Sequence, residues 1–269
     1  MGLAFASFVE KACCLCGATD GLTGEHKIKA SALRSVFGQS PMVIGRFDGS
    51  KGGVRSAQGV KSKALHFTAR LCALCNNSRT QPADREFDLF HDAARTLFDT
   101  GSDPISAFDD PRYEIGSGPY LDVFRYFAKL LACHLAELGA PRPRHLAAFA
   151  IGSAHQNCVW LAVNEDWTYR QMADSIGPHQ YAAHGGLVVY GDKKTGNATA
   201  FHSTLTVGPL RYVFHSRLNP LQQLELRLLY PDFNNWCRDQ VKAANENPMS
   251  DVEKLVLGFA VDEPDAKSS

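Results

Sequence analysis

The sequence predicts an α+β protein in two units: a cysteine-bearing N-terminal unit over residues 1–98 and a C-terminal α+β unit over 121–269, joined by a connector at 99–120. Three observations lead there. Two Cys-x-x-Cys pairs bracket the first unit. "YLDVFRYFAKLLACHLAELG" carries apolar residues at 123, 124, 127, 130, 131, 135 and 138, a helical spacing that Gly139 and Pro141 bring to a stop. Beyond it, short apolar runs alternate with turn residues, as strands do.

The first unit is organised by its thiols. Cys13-x-x-Cys16 and Cys72-x-x-Cys75 make two knuckles with 55 residues between Cys16 and Cys72. Four thiolates in two such pairs suit a closed tetrahedral zinc, with no coordination position left for catalysis. Cys14 is a spare thiol, and Cys133, Cys158 and Cys237 stand singly in apolar or helical surroundings, where core packing is their ordinary role. Between the knuckles, "FGQSPMVIGRFDGSKGGVRSAQGVKSKALHF" is rich in Gly, Ser, Lys and Arg and reads as a long loop or loose hairpin rather than packed core.

The formal net charge of zero hides an asymmetry. From Lys27 to Arg79 there are ten Lys or Arg and one acid, Asp48, an excess of +9. A basic block beside a cysteine cluster is the pattern of a polyanion-binding surface, and a solvated loop would show it too. The nucleic-acid-contacting candidates are Lys27, Lys29, Arg55, Lys61, Lys63 and Arg79.

The connector, "TGSDPISAFDDPRYEIGSGPY", is dense in Pro, Gly and Asp. After the apolar helix, "CVWLAV", "GLVVYG", "ATAFHSTLTVG" and "LRYVFHS" read as strands, with "GDKKTGN" as a hairpin turn. "NPLQQLELRLLYPDFNNWCRDQVKAAN" reads as one or two helices, with Pro231 as a break or a first-turn residue. The chain has no apolar run near the roughly 18 residues that span a bilayer. Its N-terminus lacks a basic region leading into an apolar stretch. The expectation is cytoplasmic residence with reduced thiols and no membrane partner.

Glu25 and His26 follow the first knuckle by nine and ten residues, and Asn76 directly follows the second. A zinc tying the knuckles together would bring all three into one neighbourhood. Taken alone, Glu25-His26 is also an ordinary polar strand start, and Asn76-Asn77 an ordinary cap or turn.

"CLCG", "LTGEHKI" and "LCALCNNSRTQPADREFD" together resemble the HNH nucleases, over about residues 13–90. The resemblance implies a zinc-braced, treble-clef-like ββα-metal finger followed by the C-terminal α+β unit. It implies His26 as general base, Glu25 and Asn76 as ligands of a catalytic Mg²⁺ or Mn²⁺, and a structural Zn²⁺ on Cys13, Cys16, Cys72 and Cys75. DNA is then the expected substrate, with RNA the second polyanion such a surface accepts. The closing His of the family pattern is Asn76 here, as in a phage junction-resolving branch. The usual middle Asn is missing, with "HFTAR" in its place and His66 as a polar stand-in.

The alternative is a non-catalytic zinc-finger module that binds nucleic acid or a protein partner. In either reading, the C-terminal unit is left for targeting, regulation or assembly, with a second copy or another protein as its partner.

Overall fold

The computed structural model describes residues 2–38, 41–47, 54–60, 62–176 and 181–246. Its strands are β1 (Phe5–Ala6), β2 (Leu22–His26), β3 (Met42–Phe47), β4 (Val54–Ala57), β5 (His66–Cys72), β6 (Arg142–Pro143), β7 (Trp160–Glu165), β8 (Tyr181–Gly185), β9 (Val188–Gly191), β10 (Ala198–Val207) and β11 (Leu210–Arg217). Its helices are α1 (Ala30–Phe37), α2 (Gln81–Asp99), α3 (Gly118–Glu137), α4 (Arg144–Ala150), α5 (Trp167–Ile176), α6 (Pro220–Leu229) and α7 (Pro231–Glu246). No described helix is long and apolar enough to cross a membrane.

Two sheets matter for the site. β2 and β5 form a two-stranded antiparallel sheet, and the chain then runs through a short π-helical segment, Cys75–Arg79, into α2. The second sheet has seven strands in the order β4-β3-β8-β10-β11-β7, with β9 also pairing to β10. β10 lies at its centre and is buried along nearly its whole length. The β10–β11 turn is Gly208-Pro209: Gly208 has φ +59°, and glycine is what the first position of a two-residue type II′ turn calls for.

α3 runs between the sheets, packing on α2, α4, β5 and β10. Its middle is buried on every side, from Val123 through Leu135, as expected of a helix whose apolar residues go all the way round. Ser117 caps it by accepting the Tyr120 N–H, and Gly139, at φ +67°, turns the chain away just past its end.

The basic insert differs from its sequence reading. Residues 42–47 and 54–57 form a hairpin that is not loose: β3 pairs in parallel with β8, Val43 opposite Tyr181. Met42, Ile44 and Ala57 are buried. Alternating Met42, Ile44 and the sheet edge offered by β8 outweigh the Gly/Ser-rich composition around them. Pairing thus crosses the 99–120 connector, and the small β1–β6 sheet crosses it as well. One apolar core runs from Phe5 and Leu33 through Phe127 to Val241. Pro231 opens α7 as a first-turn residue.

Candidate metal centre and the neighbouring strand

The first knuckle is shaped by its backbone. Cys13 N–H donates to Ala18 O and Gly17 N–H to Cys13 O, with Gly17 in the left-handed region at φ +84°. Cys14 N–H donates to Arg70 O, which ties this turn to β5. The second knuckle closes where β5 ends: Cys75 N–H points at the Cys72 sulfur, 3.5 Å away. The sulfurs of Cys13, Cys16, Cys72 and Cys75 all lie within 4.8 Å of one another, and Cys16 Sγ is 3.5 Å from Cys72 Sγ. A Zn–S bond of about 2.3 Å in tetrahedral geometry sets sulfurs about 3.8 Å apart, so these four thiols fit zinc. The Cys13 thiol is pulled down to about 4, chiefly by the hydrogen bond with Cys75, whose own pKa is pushed up. Among the described residues, no other group of three or more His, Cys, Asp or Glu side chains is gathered this way.

The remaining cysteines lie in the core or against it, with Cys158 only partly buried. Cys133 and Cys237 are fully buried, and the spare thiol Cys14 packs against Cys133 with sulfurs 3.6 Å apart.

β2 carries Glu25 and His26 in opposite directions, as neighbours on a strand do. Glu25 turns inward, and its Oε1 accepts from Lys129 Nζ at 2.9 Å. Lys129 also reaches Asp84 Oδ1 at 2.5 Å, and its ammonium lies over the Tyr126 ring, 5.3 Å from the centroid. Lys129 is only 1% exposed. Burial alone would lower its pKa, yet the two carboxylates raise it above the ordinary lysine value. Asp84, in the first turn of α2, directs its carboxylate to this lysine.

His26 faces the other way and lies against its strand partner His66, ring centroids 3.9 Å apart and planes at 43°. The register slips between Gly24 and His26, which lets the two imidazoles meet. His26 is pulled down to about 4, first by burial and then by the charges of His66, Lys129 and Arg34. It is a neutral imidazole at pH 7.

Asn76 sits in the π-helical segment and reaches back to β2. Its Nδ2 donates to Thr23 Oγ1 at 2.9 Å and to Gly24 O at 3.0 Å. A carbonyl acceptor identifies that end as the amide nitrogen, so the carboxamide oxygen is the end turned elsewhere. Asn76 is thus anchored two residues from His26, but no direct hydrogen bond joins Glu25, His26 and Asn76 among the described residues.

The basic candidates divide. Lys27 pairs with Glu137 at 2.9 Å, and Lys29 with Asp88 at 2.6 Å and with the Asp84 carbonyl. Those two lysines hold the fold together. Arg55, Lys63 and Arg79 are exposed, with Arg79 Nη1 3.9 Å from Cys75 Sγ. Lys61 lies outside the described residues. Lys129 went unnoticed in the sequence because a lone lysine in an apolar helix reads as an interruption. Only its burial and its two distant carboxylates mark it. The chain matches no family model, no curated protein and no solved structure.

Proposed function

We propose that the chain is a metal-dependent HNH-type endonuclease hydrolysing phosphodiester bonds in DNA, with His26 as general base. The observation that carries this reading is that one four-thiol cluster ties the knuckle before β2 to the end of β5 and the segment after it, while Asn76 in that segment is hydrogen-bonded to the strand that bears His26. Two strands followed by a helix beside such a cluster support the reading of a ββα-metal finger.

The chemistry is assigned residue by residue. Neutral His26 takes the proton of the attacking water. His66, stacked on it, restricts how the ring can turn. The Asn76 oxygen would hold a hard divalent ion, Mg²⁺ or Mn²⁺, and Glu25 would join it only by leaving Lys129 and turning to the face of β2 that bears His26. Such an ion neutralises charge at the scissile phosphate. The four thiolates would hold Zn²⁺ purely to brace the knuckles.

A second reading, a non-catalytic zinc-braced module for nucleic acid or a protein partner, is favoured by one observation: Lys129 already neutralises Glu25 and Asp84. Purified protein incubated with supercoiled plasmid and with RNA, with and without added Mg²⁺ or Mn²⁺, separates the two. Plasmid nicking or cutting that depends on the added ion is the expected result. Intact substrates with every divalent ion would hand the protein to the second reading.

A further inference from the structure

Beside the two stacked histidines, a cleft of about 500 Å³ opens between the small sheet and the seven-stranded sheet. That volume is in the range of small-ligand sites. His66 forms part of its wall, so the cleft borders the site described above. Arg55 comes to it from β4 and Lys63 from the turn before β5. One carboxylate is present, Glu137, and it is fully engaged: Oε2 accepts from Lys27 Nζ at 2.9 Å, and Oε1 from Thr68 N–H at 2.7 Å. Lys27 and Glu137 cancel, so Arg55 and Lys63 leave the cleft positively charged. Among the described residues neither of them has an ion-pair partner. The lining also includes one indole. Trp236 of α7 is half-buried there, stacked on Phe233 with centroids 5.5 Å apart and planes at 18°.

Two cations and a supported indole in one cleft match a ligand with a phosphate at one end and a flat ring at the other. We propose that this cleft binds a nucleoside monophosphate unit, with the phosphate on Arg55 and Lys63 and the base against Trp236. Arg offers a two-pronged contact to phosphate oxygens, and Lys adds a point charge. Stacking on an aromatic side chain is tolerant of base identity, because every base has a π-face. The unit comes either from a strand threaded past His26 or from a free nucleotide. In the first case the inference rests on the nuclease reading and names where the strand is held next to the cut.

The test is calorimetric titration of the zinc-loaded full chain with thymidine 5′-monophosphate, inorganic phosphate, thymidine, and a short single-stranded oligonucleotide. Thymidine monophosphate should bind more tightly than phosphate or thymidine. Arg55→Ala and Lys63→Ala should each weaken it on the order of tenfold, and Trp236→Leu by a similar factor with phosphate binding unchanged. Lys63→Glu, a surface change with no packing role, guards against a Trp236 variant that fails to fold. Parallel losses for the oligonucleotide assign the unit to a strand. Losses for the mononucleotide with unaltered oligonucleotide affinity assign it to a free nucleotide. Monophosphate binding no tighter than phosphate, or indifferent to all four substitutions, overturns the proposal. Binding without plasmid cleavage upholds this cleft while the nuclease reading falls. Cleavage with no effect of these substitutions does the reverse.

Discussion

Lys129 and Glu25, 104 residues apart in the chain, meet as a buried ion pair with Nζ 2.9 Å from Oε1. Asp84 closes the group from the first turn of α2. This triad is the polar link between β2, α2 and α3, and it lies directly behind the strand that bears His26. Removing the cation leaves two carboxylates facing each other, Glu25 largely buried and Asp84 only partly exposed. Lys129→Met should therefore cost about 3–5 kcal/mol, the usual penalty for breaking a buried pair from one side. Adding Glu25→Gln and Asp84→Asn should recover part of that loss, because the uncompensated charge disappears. Urea denaturation of the single and triple variants measures both. A Lys129→Met protein as stable as wild type would show the triad to be solvated.

Zinc removal should act on the same interface. β5 ends in the second knuckle and packs against α3, so the metal braces more than its own loop. One zinc per chain is the expected elemental analysis. Structural zinc contributes folding energy on the order of 10 kcal/mol in small domains. Cys72→Ser should accordingly lose the metal and much of the melting temperature. Cys133→Ser, in the core against Cys14, should keep full zinc content. Metal-free protein that melts like wild type would rule out the centre.

His91 gives the fold a pH dependence of its own. It is 1% exposed, its Nδ1 lies 2.6 Å from Tyr212 Oη, and burial pulls its pKa down to about 4. Arg95 lowers it further, and Asp88 opposes that. The unfolded imidazole accepts a proton near pH 6.5, while the folded one resists until about 4. Its contribution is therefore complete above about 6.5 and is lost as pH falls through that window. Between pH 7.5 and 5 the loss from this group is about 2 kcal/mol. His91→Gln keeps a partner for Tyr212 but does not titrate, so its stability should fall less over the same range. Equal pH slopes for the two proteins would refute this.

Lys27 and Lys29 should behave differently from Arg55 and Lys63 in nucleic-acid binding. The first two are tied to Glu137 and to Asp88. Lys29→Ala should lower stability by about 1 kcal/mol and leave the salt dependence of binding nearly unchanged. Arg55→Ala with Lys63→Ala should flatten the slope of log affinity against log salt, by roughly 0.7–0.9 for each phosphate contact removed. An affinity indifferent to salt in the wild type would contradict an electrostatic footprint altogether.

What the sequence made legible was local. Cys13-x-x-Cys16 and Cys72-x-x-Cys75 announce themselves by spacing, and β10 and β11 by their apolar runs around Gly208-Pro209. The central helix followed from its period and its glycine stop. The parallel pairing of Val43 with Tyr181 was hidden, since it joins segments far apart in the chain and one of them lies in a Gly- and Lys-rich stretch. Lys129 was hidden for the same reason. Nothing near it in sequence signals that Glu25 and Asp84 will surround it, and only the packing of α3 against β5 and α2 brings them together.

His26 and His66 offer the sharpest test of the proposed chemistry. They sit opposite each other on β2 and β5, with rings in contact, yet the proposal gives only His26 the proton-transfer role. Removing a general base typically costs about 10²- to 10⁴-fold in rate. His26→Ala should show a loss of that size in plasmid cleavage. Zinc content and DNA affinity should stay near wild type, because His26 is neither one of the four thiol ligands nor one of the cations assigned to phosphate. His66→Ala removes a ring that confines His26 and should cost less, as a positioning residue does, with His66→Gln recovering part of the rate. The order of the two losses is the decisive reading. If His26→Ala cuts as fast as wild type while His66→Ala does not, the base is His66 and the strand faces its substrate from the cleft side. If both variants cut normally, neither imidazole takes the proton.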